Sequence, residues 1–207
     1  MVLQNPYPVN ITAIASCGNC FFMRIAAFWL YNSAMKNFCS LAVGVVMLYF
    51  PYVWCRFRGE NTAEYGLDWR ADRQSLRFTL LASFGILLLL TPAALCWPGA
   101  GVPFRRDAKT VFDMLGAGLA AAVIEETFFR GWIQTLLKRR TGIFVAAILT
   151  NVLFAASHLV VFRNLWLLAT FFPGLVTSFL REKYGNVLPP MIFHFLGNVW
   201  AIWFFPL

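Results

Sequence analysis

Apolar runs long enough to cross a bilayer recur along this chain, and they leave few folds open to it. A spanning helix needs about 20 mostly apolar residues. Residues 75–97 (SLRFTLLASFGILLLLTPAALCW) and 142–162 (GIFVAAILTNVLFAASHLVVF) meet that length. Residues 39–55, 111–137, 165–180 and 187–205 are similar in character, which makes six predicted spans. The apolar stretch ITAIASCGNCFFMRIAAFWLY would be a seventh, although Arg24 interrupts it. Backbone polar groups in lipid must be satisfied within the segment, which favours helices. The expected fold is therefore all-α, a polytopic membrane bundle of six to seven transmembrane helices around a polar chamber. Composition agrees: 60% of residues are hydrophobic and 13% charged, with a mean hydropathy of +0.67. Soluble domains carry about a quarter charged residues.

Met35-Lys36 ahead of an apolar run resembles the start of a membrane protein. Residues 1–34 are accordingly expected to be an extra helix or a mis-assigned start, and residues 35–207 the membrane-embedded domain. The net charge of +8 reads as loop and headgroup contact rather than nucleic-acid binding, because no basic run is interleaved with exposed aromatics. Arg56, Arg58, Arg70, Arg73, Lys138, Arg139, Arg140, Arg181 and Lys183 fall in alternate loops. They mark those loops as cytoplasmic. The stretch YGLDWR (65–70) reads as a solvated loop on that side. Cys17 and Cys20 form one CxxC with no second pair to complete a four-ligand metal site.

Against this background the ionisable groups inside the spans stand out. They are Asp113, Glu125, Glu126, Arg130, His158 and His194, with Asn151 and Asn198 as further polar residues. An unpaired charge in hydrocarbon costs at least about 2.5–3.5 kcal/mol, so such residues are functional candidates. His158 and His194 are the two histidines of the chain. A rise of about 1.5 Å per residue puts Glu125, His158, His194 and Asn198 within reach of one layer. Glu126 and Arg130 are i,i+4 neighbours and can pair on one helix face, as can His194 and Asn198. Glu125 points about 100° from Glu126 on an α-helix, leaving it available to another partner. Ser157 is adjacent to His158 and points elsewhere, so it is discounted as a nucleophile. Asn151 faces either the chamber or a neighbouring helix.

EETFFR (125–130), FAASH (154–158) and HFLGN (194–198) fit the patterns EExxxR, FxxxH and HxxxN. In that order, on successive apolar segments, they resemble the CPBP family. That family comprises CAAX prenyl endopeptidases of the Ras-converting type and bacterial relatives linked to bacteriocin processing or self-immunity. The resemblance covers residues 110–205. It implies a glutamic intramembrane protease with Glu125 as the base that activates water and His158 assisting. It makes His194 and Asn198 the oxyanion-stabilising pair and Glu126 and Arg130 supporting residues. It implies neither a cofactor nor a metal. The expected partners are the lipid bilayer and a membrane-anchored peptide or protein substrate, cleaved during maturation, C-terminal sorting or CAAX-like processing. The expected location is a bacterial inner membrane, with the site opening toward the cytoplasm.

The chemistry is reasonable without the family. Peptide hydrolysis needs a base, and Asn and His side chains can donate to a developing oxyanion. Two other readings compete. A non-catalytic immunity or partner-binding protein could keep such a cluster to fix helix packing. A zinc-dependent membrane protease could use Glu, His and His as ligands, although no HExxH is present.

Overall fold

The computed structural model describes residues 33–96, 103–162 and 165–204. Most of the 1–34 segment and both cysteines of the CxxC lie outside these residues, as do Trp97 and Arg163. The described residues are helical, with no strand among them. Helix α1 is Ser33–Arg58, α2 is Arg73–Leu95 and α3 is Ala108–Glu125. A π-helical segment, Glu126–Ile133, continues α3 into α4, Gln134–Thr141. Then follow α5 (Ile143–Phe162), a 3₁₀ segment (Leu165–Thr170), α6 (Phe171–Tyr184) and α7 (Leu188–Phe204). The six apolar runs each become helix. The expected span at 165–180 begins as the 3₁₀ segment and turns α-helical at Phe171, with Pro173 in the first turn of α6, where its missing N–H costs little.

Helix ends follow local chemistry. Asp72 caps α2 by accepting from the Ser75 amide at 2.7 Å, and Asp107 caps α3 by accepting from the Thr110 amide at 3.0 Å. Asn186 accepts from the Leu188 amide at 3.0 Å as α7 begins, with Pro189 and Pro190 in its opening turn. Gly185 (φ 71°) ends α6 in the left-handed region, which a glycine adopts without a Cβ clash.

From Gly44 onward the chain is one compact unit; of the unit before it, residues 33–43 are described, the start of α1. In the larger unit α7 packs against α2, α3 and α6, and α5 packs against α4 and α6. Trp200 on α7 donates to Thr91 on α2 at 3.0 Å.

The distribution of polarity is inverted relative to a water-soluble domain. Leu89, Phe84, Phe144 and Phe172 are largely exposed, while Thr79, Ser83, Glu126, Arg130, Gln134 and Asn151 have no exposure. Exposed apolar surface on this scale needs a nonaqueous neighbour. Ser40–Arg58 and Arg73–Leu95 are long and apolar enough to cross a membrane, and Ile143–Leu159 and Leu188–Phe204 are apolar but shorter. Membrane residence follows from this inversion together with the family evidence below.

One expectation is corrected. The loop after α1 is not a solvated stretch throughout. Tyr65 and Leu67 are buried and join Cys55, Val187 and Met191 in an apolar cluster. The cause is a tight turn at Gly66 (φ 65°), whose carbonyl accepts from the Val187 amide at 3.0 Å. Arg139 holds the same loop from α4, donating to Glu60 at 2.9 Å, to Tyr65 at 3.0 Å and to Glu64 at 2.9 Å. Tyr65 donates to Glu60, and this hydrogen bond, followed by those from Arg139, holds the Glu60 carboxyl below its ordinary range. Arg70, beyond the turn, is exposed as expected.

Candidate active site

The site is built where α3 gives way to the π segment. There the Gln134 amide bonds to the Phe129 carbonyl, five residues back instead of four. Such widened turns are rare and recur at functional sites. Glu125 ends α3 and Glu126 opens the π segment, so the two carboxylates straddle the change in winding.

Both carboxylates reach the same imidazole. The Nδ1 of His194 lies 2.8 Å from Glu126 Oε1, while its Nε2 lies 3.8 Å from Glu125 Oε2. Glu125 is thus not directed away from its neighbour's partner, as ideal α geometry predicts; the two side chains meet opposite edges of one ring. The Nε2 of His158, on α5, lies 3.9 Å from the same Glu125 oxygen. Glu125 Oε2 is buried and has no hydrogen-bond partner. Its side chain is 23% exposed against 0% for Glu126, so Glu125 alone of the pair has access to an open space.

The tautomers follow from the partners. His158 Nδ1 is 2.9 Å from the Phe154 carbonyl, which can only accept, so that nitrogen carries the proton. His194 Nδ1 likewise donates to a carboxylate. In the neutral rings Nε2 is then the acceptor on the side of Glu125. Phe154 holds both rings edge to face, with centroids 4.6 Å from His158 and 6.0 Å from His194.

Behind the carboxylates, Arg130 Nε pairs with Glu126 Oε2 at 3.2 Å, as the i,i+4 spacing predicts, and both side chains have no exposure. The guanidinium lies over the Phe154 ring at 4.2 Å. Its NH2 donates to Asn151 Oδ1 at 2.8 Å and to the Gly174 carbonyl at 3.2 Å. A side chain on Gly174 would fall 2.1 Å from Asn151 Oδ1, so this close approach requires glycine. Asn151 therefore faces a neighbouring helix and not the chamber. Gln134, Ser178 and Glu182 extend this polar set and escaped the sequence reading, since each on its own looks like an ordinary helix-surface residue.

The remaining expected residues lie elsewhere. Asn198 is one turn beyond His194 on α7, and its amide donates to the Gly118 carbonyl at 3.0 Å, tying α7 to α3. Gly118 precedes Glu125 by two turns, so the amide sits further along the helix pair than the carboxylate cluster. Asp113 pairs with Lys109 and is exposed, which removes it from the buried groups. Ser157 donates to the Phe154 carbonyl at 2.7 Å, in keeping with its dismissal as a nucleophile. Trp132 packs edge to face on Phe50 and Trp54. Among the described residues no group of three His, Cys, Asp or Glu side chains is arranged to hold a metal ion.

Residues 107–200 match the family model described as type II CAAX prenyl endopeptidase, Rce1-like. This match is consistent with the CPBP family, and the matched residues contain every residue of the cluster. It is also 26% identical over 190 residues to an uncharacterized 24.3 kDa protein of Escherichia coli, covering 84% of this chain and 83% of that protein. No solved structure matches.

Proposed function

We propose that this protein is an intramembrane endopeptidase of the glutamic type, with Glu125 as the base. The observation that carries the reading is Glu125 Oε2: buried, without a hydrogen-bond partner, and flanked by two imidazole Nε2 atoms at 3.8 and 3.9 Å. A water held among these three groups would give up a proton to Glu125, with His158 orienting it. The hydroxide adds to the scissile carbonyl carbon, and the carbonyl π electrons move to oxygen. The proton taken by Glu125 then passes to the departing amine as the C–N bond breaks. In this reading the oxyanion is stabilised by His194, donating from Nε2 a proton taken from solvent and returned as the intermediate collapses, while Asn198, tied to Gly118, holds α7 against α3. Glu126 and Arg130 support the site by fixing His194.

The substrate class is a membrane-anchored protein or peptide cut near its membrane segment, as the CAAX peptidase family suggests. The loop arginines and lysines support an orientation with the Arg139 side of the molecule in the cytoplasm. The similarity to an E. coli protein supports a bacterial inner membrane. The test compares wild type with Glu125→Gln, expressed equally in the host, by mass spectrometry of membrane-protein termini. A new terminus made only by wild type supports the reading and names the substrate. Identical termini alongside a surviving wild-type phenotype overturn it.

A further inference from the structure

The pair Glu126–Arg130 does not end at Arg130. A hydrogen-bonded series runs from it across α5 and α6 to the end of α4. Asn151 Nδ2 donates to Ser178 Oγ at 2.8 Å, and Ser178 Oγ donates to Gln134 Oε1 at 2.8 Å. Gln134 Nε2 donates to Glu182 Oε1 at 3.0 Å, and Lys138 closes the series on Glu182 at the surface. Arg130, Asn151 and Gln134 have no exposure and Ser178 has 1%.

Asn151 is the fixed point of this series. Its oxygen accepts from Arg130, and its two amide hydrogens go to Ser178 and to the Ala147 carbonyl at 2.8 Å. A flipped amide would set its NH₂ against the guanidinium donors and its oxygen against the Ala147 carbonyl, so one orientation is enforced. Asn151 is also the one side chain that hydrogen-bonds to Arg130 among the described residues. The Arg130 Nε and NH1 atoms have no hydrogen bond of their own, although Nε is in ion-pair contact with Glu126. Without Asn151 the guanidinium keeps the Glu126 ion pair, one hydrogen bond to the Gly174 carbonyl and the face of Phe154, and no side-chain hydrogen bond fixes it.

We propose that Asn151 is a positioning residue for His194, acting through Arg130 and Glu126. Its amide fixes Arg130, Arg130 fixes the Glu126 carboxylate, and Glu126 holds the Nδ1–H edge of His194 so that Nε2 faces Glu125. The catalytic significance of this anchoring rests on the protease reading above; the anchoring itself does not.

The chain has two histidines, so protein labelled with ¹⁵N-histidine in detergent gives two ring systems. The measurement is hydrogen exchange of each Nδ1–H. In wild type the His194 proton is protected by Glu126 and the His158 proton by Phe154. Asn151→Leu is expected to speed exchange at His194 by roughly tenfold, the loss of about one net hydrogen bond, while His158 stays within about twofold. Glu126→Gln sets the upper limit of the effect. Where Asn151→Leu does not fold, Asn151→Ser takes its place. Unchanged exchange at His194 in the Asn151 variant overturns the proposal, as does failure of Glu126→Gln to move it. Equal acceleration at both rings also overturns it, since that signals general loosening. Absence of any Glu125-dependent terminus would sink the protease reading without touching this result.

Discussion

Glu125 and Glu126 are neighbours in sequence and opposites in surroundings. Glu126 is sealed: an arginine on one oxygen, an imidazole on the other, no exposure, and a polar series behind it reaching α6. Glu125 is partly open, and its buried oxygen meets two ring nitrogens at distances too long for hydrogen bonds. The difference teaches which carboxylate solvent can reach. Glu126 is fixed by an ion pair and an imidazole and has no exposure, whereas Glu125 is held by neither and is partly exposed. A packing-only role describes the Glu126 side well and leaves the Glu125 side unexplained.

The sharpest way to break this comparison is to remove one carboxylate function at a time. Glu125→Gln is expected to lower peptide cleavage by about 10²–10⁴-fold, the usual share of a general base, with little change in stability. Cleavage of the substrate found by terminus mapping, beside a denaturation curve, separates the two effects. Arg130→Met attacks the sealed side. It leaves Glu126 buried without its cation and is expected to cost about 3–5 kcal/mol in reversible unfolding in mixed micelles. Glu126→Gln in the same chain should recover part of that loss; a double variant no better than the single one would show that Arg130 matters for packing alone.

Smaller effects refine the picture. Gly174→Ala pushes a methyl into Asn151 and is expected to cost about 1–3 kcal/mol by the same measurement. The Arg139 clamp on the 60–65 loop should weaken in acid. The Glu60 carboxyl is held below its ordinary value of 4.5, so its contribution is whole above that pH and lost as pH falls through the lowered value. Protease nicking of the 60–72 loop should rise on that acidic side in wild type, and the rise should be absent in Glu60→Gln. Least of all, Ser157→Ala should leave cleavage within about twofold, because the hydroxyl serves only its own helix.

The helices and the three motifs were legible in the sequence because their signals are local. Apolar runs at spanning length became helices, and the i,i+4 pair Glu126–Arg130 is an ion pair. The rest depends on contacts between distant segments. Gln134 and Ser178 are 44 residues apart, and no pattern around either announces the other. Asn151 had two possible faces until α6 supplied Ser178 and Gly174. Tyr65 and Leu67 looked like loop residues because the turn that buries them closes on Val187. The π segment was hidden as well: ETFFRGWI reads as ordinary helix, and nothing in it announces the change in winding.

The separation between Glu126 and His194 is 68 residues. During synthesis Glu126 and Arg130 therefore emerge long before the last helix, and the partners Arg130 finds on α5 and α6 come before the imidazole that caps Glu126. A nascent chain halted before α7 lacks both the ring that caps Glu126 and the ring edge that faces Glu125. On the proposed protease reading, catalytic competence would arrive with the final helix, and a chain still on the ribosome would be spared from cutting its neighbours.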